Sequence, residues 1–129
     1  MFEKLELTRM AQALAAHSGQ RMGLIARNIA NADTPGYKAV DLADFAETYR
    51  ADGGGMALRA TRPGHLSDGG AGAAATPRVG GTSGAPNGNT VSLEGEMVKA
   101  VEVRQGHEMA LAIYRNTSDI IRASLGRSK

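Results

Sequence analysis

Apolar residues recur at helical spacing at both ends of the chain and lose that period in between. From Phe2 to Asn31 proline is absent, and Leu7, Ala11, Leu14, Ser18, Met22, Ile25 and Ile29 follow one another at steps of three or four. That spacing lines up one face of a helix. At the other end Leu93, Met97, Ala100, Arg104, His107, Leu111, Tyr114, Ser118, Ile121 and Leu125 alternate steps of four and three without a break. The alternation is the 3.5-residue repeat of a coiled-coil seam, with Arg104, His107 and Ser118 as polar interruptions and Val101 and Val103 close enough to share the contact. Ser92 is the expected N-cap, with Glu94 and Glu96 in a first turn where the helix dipole favours acidic charge. Arg122, Arg127 and Lys129 sit at the other end, where Gly126 closes the helix. Each flank is expected to run roughly 43 to 52 Å at the α-helical rise.

Residues 51–89 read differently: they hold 11 of the 17 glycines and Pro63, Pro77 and Pro86, with no aromatic residue. A continuous helix is excluded there, and little is available to bury. The expected organisation of residues 1–129 is a single unit: an N-terminal helix over 1–32, a turn and short segment over 33–50, a Gly/Pro-rich connector over 51–89, and a C-terminal helix over 90–129. The fold class is all-α, two long helices packed as an antiparallel coiled-coil-like hairpin around an irregular middle that has room for short strands. Small residues on the outer faces, Ala13, Ala15, Ala16, Gly19 and Gly23 on the first helix and Gly95, Gly106, Ala110 and Ala112 on the second, suit close approach by further helices.

Composition removes most alternative chemistries. Cysteine and tryptophan are absent, and the aromatics are Phe2, Tyr37, Phe45, Tyr49 and Tyr114. A disulfide framework and a thiolate metal site are thereby excluded. His17, His65 and His107 are too scattered for a metal cluster, and neither a metal nor a cofactor is expected. The net charge of +2, from 15 basic and 13 acidic residues, comes without a cationic stripe, so no nucleic acid is expected as a partner. No stretch reaches the length and apolarity of a membrane span, and charges break up any apolar signal segment at the N-terminus. Asp41 and Asp44 suggest paired carboxylates, and Gly53–Gly55 and Gly80–Thr82 suggest phosphate loops. The aspartates have no histidine or lysine at motif spacing, and the glycine runs lack the Gly-Lys-Ser/Thr ending of a P-loop. The chain is expected not to be an enzyme. A coiled-coil interaction module is the reading that periodicity alone supports.

Where the first helix should end, the chain reads Asn28-Ile29-Ala30-Asn31-Ala32-Asp33-Thr34-Pro35-Gly36-Tyr37. Pro35 disfavours helix at Thr34, and Pro-Gly suits the centre of a type II turn. The side chains of Asn31 and Asp33 are suited to backbone groups freed at a helix end. By chemistry alone this is a helix stop and a chain reversal.

The same block closely resembles the signature of the bacterial flagellar axial proteins, the family of rod, hook and hook-associated subunits. The residues that carry the resemblance are Asn28, Ala30, Asn31, Asp33, Thr34, Pro35, Gly36 and Tyr37. Three further stretches, 41–45, 61–66 and 87–97, together with the short length, look like the short proximal rod subunits, of which there are two kinds. Ser92 departs from the usual aspartate, and 68–88 carries no family pattern.

The resemblance implies a structural subunit of the basal-body rod whose two terminal helices line a tube. It implies export through the flagellar type III apparatus without a cleaved signal, and polymerisation in the periplasm. The implied partners are copies of itself, other rod subunits, and the ring or adaptor and export-gate proteins. The residues expected to pack the helices are Leu7, Leu14, Met22, Ile25 and Ile29 on the first, and Leu93, Met97, Leu111, Tyr114, Ile121 and Leu125 on the second.

Overall fold

A computed structural model describes residues 2–51, 76–80 and 84–126. In chain order it contains α1 (Phe2–Ala30), β1 (Val40–Asp41), α2 (Phe45–Ala51), β2 (Arg78–Val79) and α3 (Leu93–Ser124). The long helices α1 and α3, of 29 and 32 residues, pack against each other. Asn28 at the end of α1 meets Glu96 at the start of α3, and Ser18 lies beside Gly106 near the middle of each, so the pair runs antiparallel. The fold is the expected all-α hairpin. Its short strands form one two-stranded antiparallel ladder, Val40 opposite Val79 and Asp41 opposite Arg78.

The seam is narrow and built of small residues. On α1 it buries Ala11, Ser18, Ile25 and Asn28, with Leu14 and Met22 half-buried; Leu7 and Ile29, near the ends of the expected stripe, remain exposed. On α3 the buried residues are Glu96, Val103, Ala110 and Thr117, one per heptad. The repeat is the expected one, but its phase is not. Leu93, Met97, Leu111, Tyr114 and Leu125 are exposed, Met97 at 60% and Leu125 at 68%, and Ile121 is half-buried. The larger apolar side chains suggested one phase of the heptad. The helices instead meet through Val103, Ala110 and Thr117, whose small bodies allow close approach, and through Glu96, which Asn28 holds inside; Ala110, expected on the outer face, lies fully buried in the seam. A period of 3.5 residues is shared by every heptad position, so spacing alone leaves the phase open.

The ends of α3 match their chemistry. Ser92 is extended and its hydroxyl accepts from the Gly95 N–H at 3.3 Å, while Gly126 turns the chain at φ +61°. The short helix α2 was not apparent in the sequence, because seven residues carry too little periodicity to declare one. Contacts with α1 hold it in place: the Phe45 ring meets the edge of His17 at 5.7 Å, and His17 Nε2 donates to the Ala43 carbonyl at 2.9 Å. His65, Gly53–Gly55, Arg127, Lys129 and most of the connector lie outside the described residues.

Candidate assembly site

At the closed end of the hairpin, the segment leaving α1 is clasped by the segment entering α3. The turn that reverses the chain has the expected form: Tyr37 N–H donates to the Thr34 carbonyl at 3.3 Å, with Gly36 at φ +72°. An L side chain is disfavoured at that φ, which is why glycine follows Pro35. Asn31 serves the helix end as anticipated, its Nδ2 donating to the Arg27 carbonyl at 2.8 Å and its Oδ1 accepting from Thr34 Oγ1 at 3.2 Å.

Asp33, by contrast, is exposed, and the main helix cap comes from far along the chain. Asn89 is buried, and its Nδ2 lies 3.0, 2.7 and 2.9 Å from the carbonyls of Asn31, Ala32 and Thr34. Its Oδ1 accepts from Val91 N–H at 2.8 Å, so one carboxamide ties both arms of the clasp together. Backbone bonds complete the closure: Gly36 N–H to the Asn87 carbonyl and Thr90 N–H to the Tyr37 carbonyl, both at 3.0 Å. Thr90 Oγ1 accepts from Ala39 N–H at 2.9 Å, and Lys38 Nζ reaches the Gly88 carbonyl at 3.0 Å.

Below the clasp lies a chain of buried and half-buried polar groups. Asn28 is 1% exposed and uses its full hydrogen-bonding capacity. Its Nδ2 donates to the Val40 carbonyl at 2.8 Å and to Glu96 Oε2 at 2.9 Å, while its Oδ1 accepts from Val40 N–H at 3.1 Å and Tyr37 Oη at 3.3 Å. Neither leucine nor aspartate reproduces that set. Glu96 continues to Lys99 at 2.8 Å, and Lys99 to Asp41 at 3.3 Å. Arg21 grips Asp41 with two parallel bonds of 2.8 and 3.1 Å, the geometry that gives guanidinium–carboxylate pairs their strength.

Burial pushes the Asp41 carboxyl toward a higher pKa, but the Arg21 bonds and charge, the Leu42 N–H and Lys99 more than offset it, and the carboxyl lies below its ordinary range. The same pair raises Arg21, chiefly through the hydrogen bond to Asp41. For Lys99 burial acts downward, and its bonds to Glu96 and Asp41 prevail to leave it raised. The suggestion of paired carboxylates for Asp41 and Asp44 dissolves here: Asp41 is engaged by Arg21 and Lys99, and exposed Asp44 stands 3.8 Å from Arg21. A charge-balanced, fully engaged network positions structure rather than chemistry.

The motif residues thus take three different stations. Asn28 is buried and Tyr37 half-buried in the network; Asn31 caps the helix; Ala30, Asp33, Thr34, Pro35 and Gly36 are exposed on the closed end. Sequence reasoning missed Asn89, Glu96 and Lys99 as partners of this motif. Residues 87–97 carry only a family likeness in the sequence and Glu96 a helix-dipole role, and no local signal ties Asn89 or Glu96 to residues more than fifty positions away.

The matches to known proteins fall on this same region and beyond it. A family model described as "Flagella basal body rod protein" matches residues 10–38, from the middle of α1 through the turn. The chain is 32% identical over 126 residues to the flagellar basal body rod protein FlgB of Salmonella typhimurium, covering 88% of each chain. Against the FlgB protein of Cereibacter sphaeroides it is 36% identical over 118 residues, covering 90% of this chain and 91% of the relative. The FlgB protein of Agrobacterium fabrum is 26% identical over 118 residues, with 88% of both chains covered. Relatives more than 30% identical that match about nine tenths of both chains settle the membership: the chain belongs to the FlgB family of flagellar basal body rod proteins.

Proposed function

We propose that this chain, a rod subunit of the flagellar basal body by its family, builds the proximal rod by polymerising through its two terminal helices, and that motility depends on it. It reaches the periplasm through the flagellar type III apparatus, without a cleaved signal, and it assembles with copies of itself, other rod subunits, and the ring, adaptor and export-gate proteins at the rod base. Its role is structural and not catalytic. The unit that assembles is the whole chain, with the connector over 51–89 between the helices.

One observation carries the reading: many of the larger apolar side chains along α3 face outward. Met97, Val98, Val101, Met109, Ile120 and Leu125 are all exposed, while the hairpin's own seam is made chiefly of Ala11, Ile25, Val103 and Ala110. Those exposed faces suit burial against other helices, at about 25 cal/mol per Å² of apolar area removed from water. Their burial offsets the ordering cost that a thin seam leaves uncovered, so folding and assembly are coupled.

A strain lacking the gene is the test, complemented with the parent chain or with Val101→Asp combined with Leu111→Asp. Both positions are exposed in the hairpin, so each variant is expected to be made and exported normally. Swimming and rod growth are expected to return with the parent and to fail with the double variant. Full motility with the double variant refutes assembly through this face.

A further inference from the structure

We propose that the buried Asn28–Glu96 hydrogen bond is a register lock, selecting one antiparallel alignment of α1 and α3 against a one-heptad slip that the rest of their seam does not resist. A slide of seven residues, roughly 10 Å, brings the same face of each helix back to the seam. What then meets across it changes little. Along most of the seam Ala11 and Ser18 on one side face Val103, Ala110 and Thr117 on the other, all of small bulk, and Ile25, the one large side chain among them, lies toward the closed end. Shifting α3 by a heptad exchanges valine, alanine and threonine at each level, a difference of at most two small groups.

Only the closed end discriminates strongly. Sliding α3 one way sets Asn28 against Val103 and carries Glu96 past the end of α1. Sliding it the other way sets Glu96 beside Arg21, in competition with the bidentate Arg21–Asp41 pair, and strips Asn28 of one acceptor. In the observed alignment both residues are at most 3% exposed, and each oxygen of Glu96 and both ends of the Asn28 carboxamide have partners. A buried polar pair matched at one position is a device that trades stability for a unique register. The inference is independent of what the rod assembles with, because it concerns the two helices of a single chain.

The chain has no cysteine, so introduced pairs report alignment without background. A Cβ built at Gly106 lies 3.9 Å from Ser18 Oγ, so Ser18→Cys with Gly106→Cys reports the observed register. Ala11→Cys with Gly106→Cys, and Ser18→Cys with Ile113→Cys, report slips in the two directions. Disulfide formation in the full chain under a mild oxidant is followed by mass spectrometry. In the parent, the 18–106 pair is expected to close at least tenfold faster than either slipped pair. Replacing the lock with Asn28→Leu and Glu96→Leu is expected to cut that preference at least threefold with helical content retained. Glu96→Gln, which keeps an acceptor oxygen for Asn28, is expected to preserve it. Four results overturn the proposal: no preference in the parent, a fall smaller than threefold in the apolar variant, loss of its helical circular dichroism, or an equal fall with Glu96→Gln. The second would assign the register to the clasp at 87–90, and the third would make the pair a support of the fold rather than a selector.

Discussion

Removing Asn89 should cost this small hairpin a large share of its stability, because one buried carboxamide serves both arms of the clasp. Its Nδ2 carries two hydrogens, shared among the carbonyls of Asn31, Ala32 and Thr34, and its Oδ1 accepts the Val91 N–H. Asn89→Ala deletes all four contacts together, equivalent to three full hydrogen bonds, two from the Nδ2 hydrogens and one to Oδ1. Each is worth about 1 kcal/mol net, and a backbone group left dry costs about 1 to 3 kcal/mol more. Water can reach the end of α1 once the side chain is gone, which limits the second contribution, and the expected loss is about 2 to 4 kcal/mol. Asn89→Asp is the sharper test. It keeps the acceptor for Val91 but turns a carboxylate toward three carbonyls at the negative end of the α1 dipole, so it should be less stable than the alanine variant. Urea titrations of the full chain, followed by helical circular dichroism at pH 7, read both. With a slope of about 1 kcal/mol per M, the alanine variant should move the midpoint down by about 2 to 4 M or abolish the cooperative transition. An alanine variant within about 0.5 kcal/mol of the parent, or an aspartate variant more stable than alanine, refutes the assignment of Asn89 as the cap.

Two further expectations follow from the same end of the hairpin. Because the folded state depresses the Asp41 pKa, its contribution is fully present above the unfolded value of about 4 and is lost as the pH falls through the lower folded value. Asp41→Asn should therefore destabilise the chain by about 1 kcal/mol at pH 7, and the gap to the parent should close in acid; a gap independent of pH between 7 and 3 would contradict it. At Gly36 a Cβ meets nothing within 4 Å, but φ is +72°. Gly36→Ala should cost about 1 kcal/mol from backbone strain alone, and Gly36→Asn, which tolerates that conformation better, should recover most of it in the same urea titration.

The parts of this protein legible in the sequence are those encoded by neighbours along the chain. Two proline-free stripes at steps of three and four specify α1 and α3; Ser92 and Gly126 mark the ends of α3; and Pro35-Gly36 dictates the turn, since φ preferences are local. The Asn28–Tyr37 block carries the family resemblance for a related reason: most of it must satisfy one helix stop and one reversal. Tertiary structure decided the rest. The heptad period in α3 is compatible with either Met97 or Glu96 facing α1, and the hydrophobicity of Met97 favours the wrong one. Glu96 is inside because Asn28, 68 residues earlier, offers it a hydrogen bond and Lys99 a countercharge. Asn89 caps a helix to which its own neighbourhood gives no pointer. Periodicity records which residues share a face, whereas the choice of face is made by the partner that comes to lie against it.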